Sequence, residues 1–300
     1  HAIRDEDEVV WISDNIHGLV RVNEYWLGDI IPVNGPGGIS NFDISVWDGR
    51  CYVASGSITP TWSNQYNSAG LYTYKDNQWS NIRVDAFPET ADLRDYIRVM
   101  VDPFDSKRVY ASAWGSGLVE YYDDQFVEFY DTANSSIQSM IGLESIVRVS
   151  GMEVDKNTGT LWVSGSGSAD LLFAKTPGGQ WYSYSITGVN AITLSDIAID
   201  NIGQKWVVAP RGVGVVVFND NGTLGNKNDH QSRKLTQNLN NGNLASNNVY
   251  CIASDFDGEI WVGTDNGISV FYSPESVFAG GNFDSQQILV EQDGYVQYLL

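Results

Sequence analysis

Several residue types are scarce in this chain of 300 residues, and each shortage excludes a class of protein. Two cysteines cannot build a disulfide framework, so we expect Cys51 and Cys251 to be small buried side chains. The three histidines, at positions 1, 17 and 230, lie far apart and lack the spacing of metal ligands. No run of 18 or more apolar residues occurs, so the sequence predicts no transmembrane segment.

Basic residues are also scarce. The chain has 17 Lys and Arg against 37 Asp and Glu, for a net charge of −20. Nucleic acid is therefore excluded as a partner, because its phosphates need a basic surface. The acidity favours solubility but identifies no function.

What the sequence does contain is a repeat. Six units each pair two apolar segments around a short polar turn, as in IWVGTDNGISVF from Ile260 and KWVVAPRGVGVVVF from Lys205. The units are anchored by one aromatic residue each, at Trp11, Tyr52, Tyr110, Trp162, Trp206 and Trp261. The anchors are 41, 58, 52, 44 and 55 residues apart. Aromatic-rich strands with this period are typical of a β-propeller.

Each unit divides into four short strands. In the last unit we expect strands over 248–254, 259–263 and 268–272, and a weaker one over 286–290. The segments DFDG and TDNG between them supply hairpin residues that tolerate positive φ. Second strands are almost wholly apolar, which predicts cover on both faces, whereas fourth strands alternate as outer edges do. Blades of this kind must stack on each other to bury their faces.

The sequence thus predicts an all-β fold, one β-propeller domain of four-stranded antiparallel blades over residues 1–300. We expect a ring of six blades, or of seven with sequence beyond this segment, within a longer multidomain chain. We also expect the Trp anchors of the second strands to be core residues. The blades are placed at about 1–40, 41–92, 93–145, 146–191, 192–247 and 248–300.

The segment from Asp255 to Phe271 carries a family resemblance. Its pattern, DGxIWVGTxxGIxxF after a strand that ends in Asp, resembles the two-component-regulator propeller repeat common in Bacteroidetes. The same pattern can be recognised in all six units. The C-terminal stretch, EIWVGTDNGISVFYSPESVF followed by QQILVEQDGYVQYLL, resembles a narrower family of cell-surface components of the type IX secretion system.

The narrower resemblance implies an exported, non-catalytic binding and scaffold protein. Members of that family resemble two propellers followed by a β-sandwich, attached to the outer face of the outer membrane. It implies as partners a sortase that handles secreted cargo and the anionic lipopolysaccharide to which that cargo is joined. The wider resemblance implies an alternative, a periplasmic carbohydrate-sensing propeller of a hybrid two-component regulator. A third possibility is a polysaccharide hydrolase or lyase, which three arginines or paired carboxylates at the channel mouth would favour.

No catalytic motif stands out from the repeat, and we expect neither an enzyme nor a cofactor. The turns DFDGE (255–259) and DKNTG (155–159) match part of a calcium loop but lack its full ligand series. We expect plain turns there, with calcium as the alternative. DFDGEIW also resembles the Asp box of sialidases, in which the motif is a structural turn.

If the propeller binds something, its loops must do so, because the strands are committed to packing. The turns between second and third strands share one face around the channel. One of these, 55–69, is far longer than a hairpin needs and presents Trp62 and Tyr66. Trp114 and Arg211 occupy the corresponding positions of the third and fifth units. We predict that these four residues contact a protein or glycan, the alternative being that the aromatics fold back and plug the channel or cover a blade edge.

Overall fold

The computed structural model describes residues 1–14, 18–22, 28–31, 34–186, 188–189, 192–292 and 295–298. Within these ranges the chain forms six four-stranded antiparallel sheets, each built from consecutive strands, and one separate hairpin. The predicted all-β architecture of four-stranded blades is confirmed.

The first three blades follow the chain without crossovers. Blade one comprises β1 (Ala2–Arg4), β2 (Val10–Asp14), β3 (Gly18–Val22) and β4 (Gly28–Ile31). Blade two comprises β5 (Asp43–Trp47), β6 (Arg50–Ala54), β7 (Leu71–Lys75) and β8 (Gln78–Ile82). Blade three comprises β9 (Tyr96–Asp102), β10 (Asp105–Ala113), β11 (Gly117–Tyr122) and β12 (Gln125–Tyr130).

The remaining blades repeat the same order. Blade four comprises β13 (Val149–Val154), β14 (Leu161–Gly165), β15 (Leu172–Lys175) and β16 (Trp181–Tyr184). Blade five comprises β17 (Ile197–Ile199), β18 (Lys205–Ala209), β19 (Gly214–Asn219) and β20 (Gln231–Leu235). Blade six comprises β21 (Val249–Ser254), β22 (Ile260–Thr264), β23 (Gly267–Phe271) and β24 (Gln286–Gln287).

The end of the chain departs from the sequence prediction. The fourth strand of blade six is only two residues long, and the segment β25 (Leu289–Gln292) pairs instead with β26 (Tyr295–Tyr298). Helical structure in the described ranges is limited to two 3₁₀ turns, Val84–Ala86 and Pro88–Thr90, and to α1 (Ser276–Ala279). None of these segments has the length and apolar character of a membrane-crossing helix.

Blades two to six pack face to face around an axis. Their first strands, β5, β9, β13, β17 and β21, contact one another in succession. Four hydrophobic clusters fill the spaces between blades two and three, three and four, four and five, and five and six. Burial of these facing apolar side chains is the main stabilising contribution in such a stack.

Burial decreases at the two ends of this series. Trp162 and Trp206, on β14 and β18, are fully buried, as predicted for second strands. Trp11 and Trp261 are only half-buried, so the prediction that all four indoles are core is wrong for these two. For Trp261 the reason is position, since blade six presents Tyr250 to solvent rather than to a neighbouring blade. Trp11 lies in blade one, outside the series of blades two to six.

The cysteines show the same dependence on position. Cys251 lies on β21 of blade six and is exposed, which corrects the prediction of a buried side chain. Cys51, on β6 of blade two, is half-buried. On β5, the first strand of blade two, the side chains of Ile44 and Val46 are each 62% exposed. Blade two therefore also lacks a close-packed cover at this strand.

An indole–carboxylate bond fixes the first hairpin in three of the blades. The indole nitrogen donates to an aspartate six residues earlier, at 2.9 Å for Trp206 to Asp200 and 2.9 Å for Trp261 to Asp255. The pair Trp11 and Asp5 repeats this bond at 2.7 Å. In each case the other carboxylate oxygen accepts two backbone N–H groups of the turn.

These bonds assign the DFDGE turn a structural role. The carboxylate of Asp255 is committed to the indole of Trp261 and to the N–H groups of Asp257 and Glu259. Blade four has one more residue between Asp155 and Trp162, and there the buried indole nitrogen has no hydrogen-bond partner within the described ranges. A difference of one residue therefore decides whether this bond forms.

The two fully buried indoles provide a matched test of the bond. Trp206→Phe and Trp162→Phe truncate a buried indole in the same way, but only the first removes a hydrogen bond and leaves Asp200 with one donor fewer. A phenyl ring at position 162 still offers an aromatic face to the ammonium of Lys205, which lies 4.0 Å from the centroid of the Trp162 ring. We expect the free energy of unfolding to fall by about 1–2 kcal/mol more for Trp206→Phe. Urea denaturation of both variants measures the difference. Equal losses would show that the indole–carboxylate bond contributes no net stability.

Glu153 on β13 gives the fold a pH dependence. Burial raises the pKa of this partly exposed side chain to about 7, a shift that the charge of Lys156 opposes only in part. Because the folded-state pKa of Glu153 exceeds the ordinary value of 4.5, protonation of this side chain favours the folded state. Its contribution to the free energy of unfolding is fully present below pH 4.5 and is lost as the pH rises through 7.

Relative to Glu153→Gln, we expect the wild-type protein to lose up to about 3 kcal/mol of unfolding free energy between pH 4 and pH 8. The glutamine variant keeps the shape of the side chain and cannot ionise. Denaturation curves of the two proteins across this range measure the change. Parallel stability profiles would contradict the shifted pKa.

Candidate functional site at the channel mouth

A cavity of about 430 Å³ opens where the first strands of blades three to six begin. Its walls come from five blades, because the loop of blade two reaches across to the others. A volume of this size fits a ligand of one or two sugar rings or a single protein side chain. The side chains that matter for its chemistry are Phe42, Trp62, Arg98, Ser150, Arg211 and Tyr250.

The four residues predicted from sequence have different positions. Trp62 and Arg211 both line the cavity, although they are 149 positions apart in sequence. Tyr66 belongs to the same loop as Trp62 and is 74% exposed, but it does not line the cavity. Trp114 is only 1% exposed, so the prediction that it contacts a partner directly is wrong.

Trp114 is buried because it lies between two other side chains. The ring of Trp62 packs edge-on against it, with 5.4 Å between the ring centroids. The guanidinium of Arg148 lies over the ring at 4.9 Å from its centroid. The indole nitrogen of Trp114 donates to the carbonyl of Trp62 at 3.2 Å. Trp114 therefore supports Trp62 from behind, which matches in part the alternative that the aromatics fold back.

The long loop of blade two is fixed by one buried carboxylate. Asp95 accepts the backbone N–H groups of Gln65, Tyr66 and Asn67 at 2.8–2.9 Å. It also accepts the side-chain amide of Asn64 at 3.2 Å. That amide bonds as well to the carbonyl of Trp114 at 2.6 Å, which ties the loop to blade three. The loop therefore holds its aromatics in a set position.

Three bulky residues at this site have a left-handed backbone, a conformation that Asp and Asn residues adopt in several turns elsewhere in the chain. Trp62, Tyr66 and Arg211 have φ values of 64°, 61° and 62°, in the left-handed region that non-glycine residues avoid. Each costs about 1–2 kcal/mol relative to an ordinary conformation. Such conformations persist only where surrounding contacts enforce them, and they are frequent at binding sites.

One ion pair joins blades three and five at the cavity. Arg98 of blade three donates to the carboxylate of Asp196 in blade five, and its guanidinium lies 5.4 Å from the ring centroid of Phe42. Burial raises the pKa of the nearby Asp43, while the charge of Arg98 opposes that rise. The charge of Arg98 is therefore balanced inside the protein.

Arg211 and Arg148 differ from Arg98 because neither has a carboxylate partner among the described residues. In the part of the chain that the structure describes, neither forms an ion pair. Arg211 donates to the hydroxyl of Thr193 at 3.0 Å, and that hydroxyl shares a 2.8 Å hydrogen bond with Ser166. Burial, followed by the charge of Arg211, lowers the pKa of the Arg148 guanidinium.

Sequence reasoning missed Arg148. It precedes the first strand of blade four, in a stretch without motif or unusual length. Of the other predicted loop positions, His17 and its neighbours at 15–16 lie outside the described residues. Across the ranges that are described, no three His, Cys, Asp or Glu side chains are grouped as a metal site would require.

Removing the Asp95 carboxylate tests how the loop is held. We expect Asp95→Ala to speed hydrogen exchange of the amides of residues 65–67 by tenfold or more, because they lose their acceptor. The exposed Asp85, which pairs with Arg83, provides a control in Asp85→Ala. Exchange measured by mass spectrometry decides the matter. Unchanged protection in Asp95→Ala would mean that other contacts hold the loop.

The repeat is also found by comparison with known families. Residues 243–266 match the model of the two component regulator propeller. No curated protein matches the sequence significantly.

Among solved structures, PorZ of Porphyromonas gingivalis, described as a surface component of the type-IX secretion system, superposes with a TM-score of 0.80 at 23% identity. The alignment covers 98% of this chain and 41% of PorZ. The extracellular domain of the two component system protein BT4673 from B. thetaiotaomicron gives 0.54 at 16% identity, covering 90% of this chain and 32% of its own. Virginiamycin B lyase from Staphylococcus aureus gives 0.57 at 11% identity, covering 87% and 72%. These likenesses establish the propeller fold.

Proposed function

We propose that this chain is a binding and scaffold propeller of an exported protein that acts at the outer-membrane surface in type IX secretion. Its ligands would be an anionic glycan such as lipopolysaccharide and a protein partner such as the secretion sortase. The proposal rests on the structural likeness to PorZ over nearly the whole chain. Since the chain spans less than half of PorZ, the activity of any complete protein belongs to the proposal as well.

The observation that carries the binding role is the cavity at the channel mouth. It combines an aromatic wall, Trp62, with a cation, Arg211, and Tyr66 lies exposed on the same loop. Aromatic faces stack on sugar rings, and a cation attracts an acidic glycan that a chain of net charge −20 otherwise repels. The fixed loop lowers the entropy that binding would cost.

The test uses two aromatic variants and a matched control. We expect Tyr66→Ala and Trp62→Leu to weaken binding of lipopolysaccharide from the source bacterium by about tenfold, which corresponds to ~1.4 kcal/mol. The control, Tyr272→Ala, removes an exposed aromatic side chain next to the end of β23 that is remote from the channel mouth. This variant should bind both ligands normally. Surface plasmon resonance with immobilised lipopolysaccharide, repeated with the purified sortase, provides the affinities. Normal binding of both ligands by Tyr66→Ala and Trp62→Leu would exclude this face.

A second candidate, carbohydrate sensing, is favoured by the match of residues 243–266 to the regulator propeller. It predicts binding of a small neutral or acidic oligosaccharide rather than of lipopolysaccharide or a sortase. A glycan array screened with the same variants separates the two functions.

Catalysis on a polysaccharide is favoured by one observation. Arg98 and Arg211 line the cavity with Arg148 close by, and the carboxylates of Asp43 and Asp196 lie near Arg98. The ion pair of Arg98 with Asp196 removes one cation from this group, so we infer binding rather than turnover. Release of new reducing or unsaturated ends from acidic polysaccharides would overturn that inference.

A further inference from the structure

Two guanidinium groups near the channel mouth lack partners of opposite charge. Three more deeply buried cations are neutralised by carboxylates: Arg98 by Asp196, Lys205 by Asp220 and Lys175 by Glu120. Arg148 and Arg211 have no carboxylate within ion-pair distance in the described ranges. Arg148, which is half-buried, and Arg211, which is exposed, are therefore not neutralised by a carboxylate of the described residues.

A second observation indicates that the hydrogen bonding of the Arg148 side chain is incomplete. Its Nε–H group is buried and has no hydrogen-bond partner among the residues that the structure describes. Buried donors are nearly always paired, and one left unpaired destabilises the folded state. Its guanidinium lies over the face of Trp114, which attracts the charge but accepts no conventional hydrogen bond.

The two arginines also influence one another. Arg211 is close enough for its charge to disfavour the charged form of Arg148, in addition to the effect of burial. Two like charges held close together attract an anion, since one anion relieves the repulsion and supplies acceptors to both.

Both side chains are held in place. Arg211 is fixed through Thr193 and Ser166, and its backbone adopts φ of 62°. Arg148 is held against the indole of Trp114, which in turn packs on Trp62 in the cavity wall. A ligand that stacks on Trp62 would therefore place its acidic group beside guanidinium donors that are already oriented.

We propose that Arg148 and Arg211 form an oxyanion-binding pair that recognises a carboxylate or phosphate group of the glycan. This proposal rests on the proposed function and names the chemical group that the site selects. A guanidinium group binds a carboxylate or a phosphate in the same way, through paired N–H···O hydrogen bonds from one planar group. The source of the oxyanion is a uronic acid or a phosphorylated sugar.

The test uses the two simplest probes, inorganic phosphate and galacturonate, titrated calorimetrically at constant ionic strength set with chloride. We expect Arg148→Gln and Arg211→Gln each to weaken binding of the preferred probe at least tenfold. Arg83→Gln removes the same charge from an exposed pair with Asp85 and should bind as the wild type does. Binding of phosphate alone assigns a phosphoryl group, and binding of galacturonate alone assigns a uronic acid.

The variant Arg148→Lys distinguishes a purely structural role of Arg148, in contact with Trp114, from a role in binding the oxyanion. Lysine keeps the cation over the indole but loses the fork, so we expect a normal melting temperature with affinity still reduced at least fivefold. The proposal is overturned if the wild type binds neither probe, or if both glutamine variants keep wild-type affinity.

Failure of this pair and failure of the proposed function give different results. If Tyr66→Ala no longer binds lipopolysaccharide while Arg148→Gln and Arg211→Gln still bind both lipopolysaccharide and the probes, the proposed binding face is supported and the oxyanion pair is excluded. If the probes depend on the arginines while the wild type binds no lipopolysaccharide or sortase, the pair stands and the proposed function falls.

Discussion

A four-stranded blade has two apolar faces, and the need to cover both governs the rest of this structure. Between blades two and six the need is met by four successive clusters of facing side chains. Stacking of twisted sheets brings their first strands together around an axis, which creates the channel. At the ends of the series the cover is incomplete, and equivalent residues differ in burial: Trp206 is enclosed, whereas Trp261 is half-exposed.

The same stacking determines where charge can be placed. Side chains that carry charge between blades are paired, as Lys205 with Asp220 and Lys175 with Glu120, because an unpaired ion in such a place is strongly destabilising. At the axis the constraint is weaker, since the first strands border an open space that admits a ligand. There, Arg211 and Arg148 have no counterion among the described residues, and hydroxyl and indole groups orient them.

Rigidity and strain at the channel mouth have a common origin. The loop of blade two is held by the carboxylate of Asp95, which is buried where blades two and three meet. Those bonds offset the cost of the left-handed backbone at Trp62 and Tyr66. A binding surface built on such a loop depends on blade packing that is remote from any ligand. Changes in the core would therefore alter binding as well as stability.

The sequence by itself determined the blades, because strand period, hairpin residues and apolar second strands are local properties. In the last unit the predicted second strand, 259–263, differs from the observed Ile260–Thr264 by one residue at each end. The placement of Trp62 and Arg211 in one cavity could also be predicted, since second-to-third-strand turns share a face. Three features could not be predicted. Trp114 is buried because a loop 50 residues away in sequence folds over it. The indole of Trp162 lacks its carboxylate because one extra residue changes the turn. Arg148 matters only through the absence of a nearby carboxylate, and which charges lie close together is decided by tertiary packing alone.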